Sequence, residues 1–134
     1  MLRAMNQANS DVWHGGLTND ISRVLLSEQQ IAARVGELGR QLTADYHGKD
    51  PLLVGILSGS FPFIADLVRA MNLALEVDFM AVSSYGDRTT SSGVVRILKD
   101  LNSSIAGRHV IVVEDIVDTG LTLDYLVENL QTRH

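Results

Sequence analysis

The stretch Val110-Ile-Val-Val-Glu-Asp-Ile-Val-Asp-Thr-Gly-Leu-Thr122 constrains the fold of this chain more than any other. The β-branched run Val110 to Val113 suits a pleated, buried strand, because branching at Cβ restricts χ1 against a helical turn. Two adjacent carboxylates, Glu114 and Asp115, follow. The turn Asp118-Thr-Gly-Leu-Thr122 then opens an amphipathic segment in which Leu123, Leu126, Val127 and Leu130 share one helical face. The order is buried strand, acidic edge, small-residue turn and helix. In open α/β sheets ligands lie beyond the carboxyl ends of strands, where the two acids fall. Strand alternation sends the Glu114 and Asp115 side chains to opposite sides, so a simple chelating pair is not expected. One can reach a hydroxyl or a metal-bound water while the other is held nearby. The turn offers hydroxyls, a glycine that permits close backbone approach, and outward-pointing amides at a helix start, which together suit a phosphate monoester. It is not a Walker loop, because no Lys precedes the Thr. These residues point to a sugar-phosphate site, with an inert acidic turn as the alternative.

Upstream, apolar and polar segments alternate in a pattern that supplies the rest of an α/β unit. Residues 1–16 are polar apart from Trp13, end in a glycine pair and have no clear period, so they read as a loose N-terminal extension to a core domain at 17–134. Trp13 is expected to be a packing anchor. After the short apolar stretch Ile21 to Leu26, Ser27 and Gln30 fit a capping box. Ile31, Val35, Leu38, Leu42 and Tyr46 then recur on one face of a helix that Gly48 can terminate. The run Leu52 to Leu57 is too short for a helix and predicts a strand buried on both faces. It ends in Ser58-Gly59-Ser60, after which Phe61, Ile64, Val68 and Met71 repeat with helical spacing. Amides at such a junction can hold an anion, although an ordinary strand-to-helix turn explains the same residues. Val77 to Ser84 predicts another strand. Tyr85 to Gly93 is polar and hydroxyl-rich, either a lid or a plain connection, and Val94 to Leu98 resumes strand character before a turn at Asn102 to Gly107. Strands alternating with helices imply an α/β fold with a mainly parallel sheet.

Composition excludes several classes of function. With 134 residues and 46% hydrophobic content the chain suffices for one core. A net charge of −5 argues against a general nucleic-acid or anionic-membrane surface, so any polyanion must be bound locally. There is no cysteine, hence no disulfide framework and no thiolate metal site. His14, His47, His109 and His134 are scattered without metal-ligand spacing and read as surface or helix-end residues. No apolar run approaches a membrane span, and the N-terminus lacks a signal-peptide core, so a cytoplasmic protein is expected.

The segment Val112 to Thr122 resembles the signature with which type I phosphoribosyltransferases bind 5-phosphoribosyl-1-diphosphate, in the form found in the bacterial hypoxanthine (6-oxopurine) branch. Leu57-Ser-Gly59 with Phe63-Ile-Ala-Asp-Leu67 is similar to the family's pyrophosphate loop and following helix. Val77-Asp-Phe-Met80 with Ser83-Ser-Tyr-Gly86 is similar to the strand leading into its flexible catalytic loop. The resemblance spans roughly residues 20 to 134. It implies a type I phosphoribosyltransferase fold, a mainly parallel twisted sheet flanked by helices, here C-terminally incomplete. The implied reaction is transfer of the phosphoribosyl group to N9 of a 6-oxopurine base, giving a nucleoside monophosphate and pyrophosphate with Mg²⁺ as cofactor.

The resemblance also implies roles for individual residues. Asp118 acts at the purine N7 as general acid or base. Glu114 and Asp115 address the ribose hydroxyls, directly or through Mg²⁺. Ile116, Thr119, Gly120, Leu121 and Thr122 bind substrate around the 5-phosphate, and Leu57, Ser58 and Gly59 contact pyrophosphate. Ser84 and Tyr85 belong to a catalytic lid that excludes water. Two departures stand out. Ser58 occupies a position that is basic in most relatives, and relatives continue beyond the point matching His134 with a further strand and residues that read the base. A helix ending at His134 would leave an exposed sheet edge and an uncovered apolar face, which favour association or aggregation; a homodimer or homotetramer is expected. The competing classes are a non-enzymatic sensor or regulator of the same fold and an inactive truncated form; Asp118 and the lack of a basic cluster weigh against an RNA-binding sensor.

Overall fold

A computed structural model of the protein describes residues 21–85 and 94–133. The expectations for the 1–16 extension, Trp13, the polar segment 86–93 and His134 lie outside the described residues. The chain runs α1 (Glu28–Asp45), β1 (Leu52–Leu57), α2 (Phe61–Ala70), β2 (Glu76–Tyr85), β3 (Val94–Lys99), β4 (Val110–Val113) and α3 (Leu121–Gln131). The four strands form one sheet in the order β3-β2-β1-β4. β1 pairs parallel with both β2 and β4, and β2 pairs antiparallel with β3, so the sheet is mainly parallel.

The pleat of β1 explains how helices cover both faces. Leu52, Val54 and Ile56 project into a cluster with Met80, Ile105, Leu126 and Leu130, which places α3 on that face. Leu53 points the other way, into a cluster with Ile64, Leu67, Met71 and Val113 that also receives Val35, Leu38 and Leu42 from α1. Each fully buried leucine or isoleucine in these clusters contributes about 2 kcal/mol of transfer free energy. α1 approaches α2 closely at Gly39, where an added Cβ would come within 2.6 Å of the Ala70 Cβ and carbonyl oxygen. The capping box is present, with the Gln30 amide donating to Ser27 Oγ at 3.2 Å and the Ser27 amide donating to Gln30 Oε1 at 2.8 Å. A carboxylate on β2, Asp78, secures the turn that follows β3. It accepts from the Asn102 amide (2.7 Å), the Asn102 side chain (2.8 Å), the Phe79 amide (2.7 Å) and Lys99 Nζ (3.2 Å).

Several sequence-based expectations change. β4 is only half-buried except at Val113, because among the described residues it lies at the sheet edge and lacks a neighbour on one side. Ile31 and Phe61 are 50% and 57% exposed, since α1 and α2 turn narrower stripes to the sheet than their apolar spacing suggests. α1 stops at Asp45 with Tyr46 as C-cap, ahead of Gly48, which adopts φ +72° in the following turn. α3 ends at Gln131 and does not run to His134.

Candidate functional site

β1 leads into α2 on one face of the sheet, and β4 leads into α3 on the other. Gly55 pairs with Val113, so the two strands end side by side while their chains diverge. That divergence opens a crevice at the carboxyl edge, the usual ligand position in an open parallel sheet.

The β1 side of the crevice is the turn 58–60. Ser60 is fully buried and its hydroxyl donates back to the Ile56 carbonyl at 2.6 Å, so it anchors the turn and does not cap α2. Ser58 and Gly59 are exposed, Leu57 is half-buried, and the Leu57–Ser58 peptide bond is cis. Gly59 lies directly against Asp115. A Cβ built there would sit 2.6 Å from Asp115 Cγ and 2.8 Å from Oδ1, and nearer still to Oδ2.

The β4 side carries the acids. Because β4 ends at Val113, neither Glu114 nor Asp115 belongs to the strand, and the alternation expected to send them to opposite sides does not govern them. Asp115 turns to Gly59. The Oε2 atom of Glu114 is buried and has no hydrogen-bond partner among the described residues. Burial, and secondly the charge of Asp115, pushes the Glu114 carboxyl above its ordinary value. Ile116 and Val117 follow, 73% and 60% exposed, then Asp118 and Thr119, also exposed. Gly120 is the N-cap of α3 in the left-handed region at φ +83°, a conformation glycine adopts without a Cβ penalty. No side chain caps this helix start, and Thr119 Oγ1 makes only a long 3.5 Å contact with the Leu121 amide. The first turn of α3 therefore presents backbone amides, with Leu121 exposed and Thr122 half-buried beside them.

The geometry brings Gly59 and Asp115 into contact, with Leu57, Ser58 and Glu114 next to them in the chain and 116–122 following toward α3. Ser84 and Tyr85 end β2 at the same sheet edge, where their backbones pair with Val95 and Val94. They are strand residues by backbone, not part of a loop. No cluster of at least three His, Asp or Glu forms a metal site among the described residues. A pair of carboxylates, one exposed and one with an unsatisfied oxygen, suits a hard cation that takes its other oxygen ligands from substrate and water. The contact between Gly59 and Asp115 was not foreseeable from the chain. A small residue after a buried strand was the only signal, and nothing in it names a partner.

A mainly parallel sheet of this order, with two acids where its strand connections diverge and a helix start without a side-chain cap after them, defines an α/β protein with an open carboxyl edge. The phosphoribosyl transferase domain model matches residues 23–134. Hypoxanthine-guanine phosphoribosyltransferase of Streptococcus agalactiae is 56% identical over 117 residues, covering 87% of this chain and 65% of the relative. The crystal structure of a hypoxanthine phosphoribosyltransferase from Staphylococcus aureus superposes with a TM-score of 0.82 at 50% identity, covering 86% of this chain and 62% of that one. Hypoxanthine phosphoribosyltransferase from Trypanosoma cruzi, in complex with the product IMP, superposes with a TM-score of 0.76 at 46% identity, covering 84% and 65% respectively. This chain belongs to the phosphoribosyltransferase family. It spans less than two thirds of the length of each of these relatives.

Proposed function

We propose that this chain carries the sugar-diphosphate half of a purine-salvage enzyme. The reaction is transfer of the 5-phosphoribosyl group from 5-phosphoribosyl-1-diphosphate to N9 of hypoxanthine or guanine, giving IMP or GMP and pyrophosphate. One observation carries the reading: Glu114 keeps a buried acceptor oxygen without a partner among the described residues, next to Asp115, whose carboxylate lies against Gly59. Buried acceptors are rarely left unpaired, and adjacent ribose hydroxyls are donors of the right kind. The names of the relatives and the IMP complex of the T. cruzi enzyme support the same substrates.

In this mechanism the bond from the anomeric carbon to the diphosphate oxygen breaks as purine N9 bonds to that carbon, through an oxocarbenium-like transition state. Glu114 and Asp115 accept from the ribose hydroxyls and orient the ring. Amides and hydroxyls of Thr119, Gly120, Leu121 and Thr122 hold the 5-phosphate at the start of α3. The Ser58-Gly59 turn supplies amides and a hydroxyl to the diphosphate, and Ile116 lies along the bound nucleotide. Asp118, exposed on the rim, holds or takes the proton at N7. Ser84 and Tyr85 are assigned to excluding water, the competing nucleophile. Glu114 and Asp115, directly or through water, would hold Mg²⁺, which when bound offsets charge on the leaving diphosphate.

Residues 17–134 form the functional core in this proposal, with 1–16 outside it. The proposed setting is a homodimer or homotetramer in the cytoplasm, consistent with a cysteine-free chain and with exposed apolar side chains at Ile21, Leu25 and Leu26. No helix among the described residues is long and apolar enough to cross a membrane. Calorimetry with 5-phosphoribosyl-1-diphosphate is expected to give heat that depends on Mg²⁺, and absence of that heat overturns the site. Incubation with hypoxanthine, Mg²⁺ and the sugar diphosphate should give more IMP from a chain extended to the relatives' full length than from this one. Equal turnover would show that residues 1–134 carry the whole purine site.

A further inference from the structure

Gly39, Gly55 and Gly59 each leave no room for a Cβ, but for different reasons. At Gly39 the obstacle is the Cβ and backbone of Ala70, and at Gly55 it is the Phe79 ring at 2.9 Å with Ile64 behind it. Both are packing requirements inside the fold. At Gly59 the three nearest atoms all belong to the carboxylate of Asp115, an exposed residue at the crevice. Packing density does not explain this contact, because an exposed aspartate can leave it by rotating about χ1.

We infer that Gly59 is the positioning residue for Asp115: its missing side chain is the seat in which the carboxylate rests, and this seat couples the pyrophosphate turn to the ribose and metal carboxylates. The inference rests on the proposed sugar-diphosphate site. It differs from an amide contact between Gly59 and diphosphate, because the effect travels through Asp115. An alanine at 59 displaces the carboxylate by rotation and leaves the core intact. Gly59→Ala should therefore fold normally yet bind as though Asp115 were misplaced.

The test combines a ligand-free readout with a double-mutant cycle. In the first arm the ¹³C resonance of the Asp115 side-chain carboxyl is compared among the wild-type chain, G59A and the control G36A; at Gly36 the nearest obstacle to a Cβ is an arginine tip at 3.5 Å. The resonance is expected to move in G59A and to stay in G36A. In the second arm the Mg²⁺-dependent affinity for 5-phosphoribosyl-1-diphosphate is measured by calorimetry for wild type, G59A, D115A and G59A/D115A. G59A and D115A should each weaken binding by about tenfold, and the double variant should be no weaker than D115A, which is strong non-additivity for residues in contact. An unmoved Asp115 resonance in G59A, or wild-type affinity in G59A, overturns the inference. Losses that multiply in the double variant overturn it as well, since Gly59 would then act through its own backbone. Absence of Mg²⁺-dependent heat from the wild-type chain overturns the sugar-diphosphate reading and with it the site role; the resonance then decides the packing contact by itself.

Discussion

Asp78, in β2, and Glu114, just past the end of β4, are two carboxylates partly withdrawn from solvent, and the chain treats them in opposite ways. Asp78 accepts from two backbone amides, the Asn102 side chain and Lys99. Burial works to raise its pKa, but the Asn102 and Phe79 amides and the Lys99 ammonium outweigh it and hold the carboxyl below its ordinary value. Glu114 has burial and a neighbouring negative charge, an oxygen without a partner among the described residues, and a carboxyl pushed upward. A saturated carboxylate stabilises the fold. An unsaturated one costs stability and is ready to accept a donor, which is how a binding site differs from a structural clamp.

The largest expected effect comes from breaking the clamp. Asp78→Ala removes the acceptor of the Asn102 and Phe79 amides and leaves the Lys99 ammonium with only the Phe79 and Asp100 carbonyls, and should cost about 2 kcal/mol in urea unfolding. A loss below about 1 kcal/mol would show that Asp78 is no clamp and would dissolve the contrast. Glu114→Gln tests the other half. It removes a charge that is both desolvated and repelled, so the fold should gain about 0.5 kcal/mol at pH 7, while affinity for the sugar diphosphate falls about tenfold. A variant that loses stability as well as binding would make Glu114 structural.

The two carboxylates should also differ in the sign of their pH dependence. With its folded value lowered, Asp78 contributes stability that is fully present above its ordinary value of 3.8 and is lost as pH falls through the folded value. With its folded value raised above 4.5, Glu114 costs stability at neutral pH, and that cost disappears as pH falls through the folded value. The stability advantage of E114Q over wild type should accordingly shrink to nothing between pH 7 and about 4, whereas the deficit of D78A should persist to lower pH. Chemical denaturation across that range reads both. The smallest effect belongs to the turn beside Asp115: Ser58→Lys should tighten sugar-diphosphate binding about threefold at low salt, less at high salt, because an exposed ammonium is screened. An unchanged or weaker affinity would mean that the turn already meets the diphosphate through its amides.

Much of this architecture was readable along the chain. The capping box at Ser27 and Gln30, the doubly buried run at Leu52 to Leu57 and the strand at Val110 to Val113 all obey local rules of side-chain chemistry and period. The Glu114 to Thr122 segment was legible as an acidic edge followed by a turn into a helix for the same reason. Less was legible about orientation. Ile31 and Phe61 keep the helical spacing of their neighbours yet stay half exposed, because the width of a packed stripe depends on how the partner helix lies. Nothing along the chain marks Asp78 within the strand Val77 to Ser84, since its partners Lys99 and Asn102 arrive only when the sheet forms.

The sequence by itself determined the order of strands and helices along the chain, the location of the acids at a strand end and the turn that leads from them into α3, because each depends on residues adjacent in the chain. Only the tertiary structure decided which carboxylate is saturated and which is not, and that Gly59 receives Asp115. Both outcomes depend on pairing β1 with β4 and β2 with β3, which brings distant residues within hydrogen-bond or van der Waals reach. Period and propensity carry no information about such contacts.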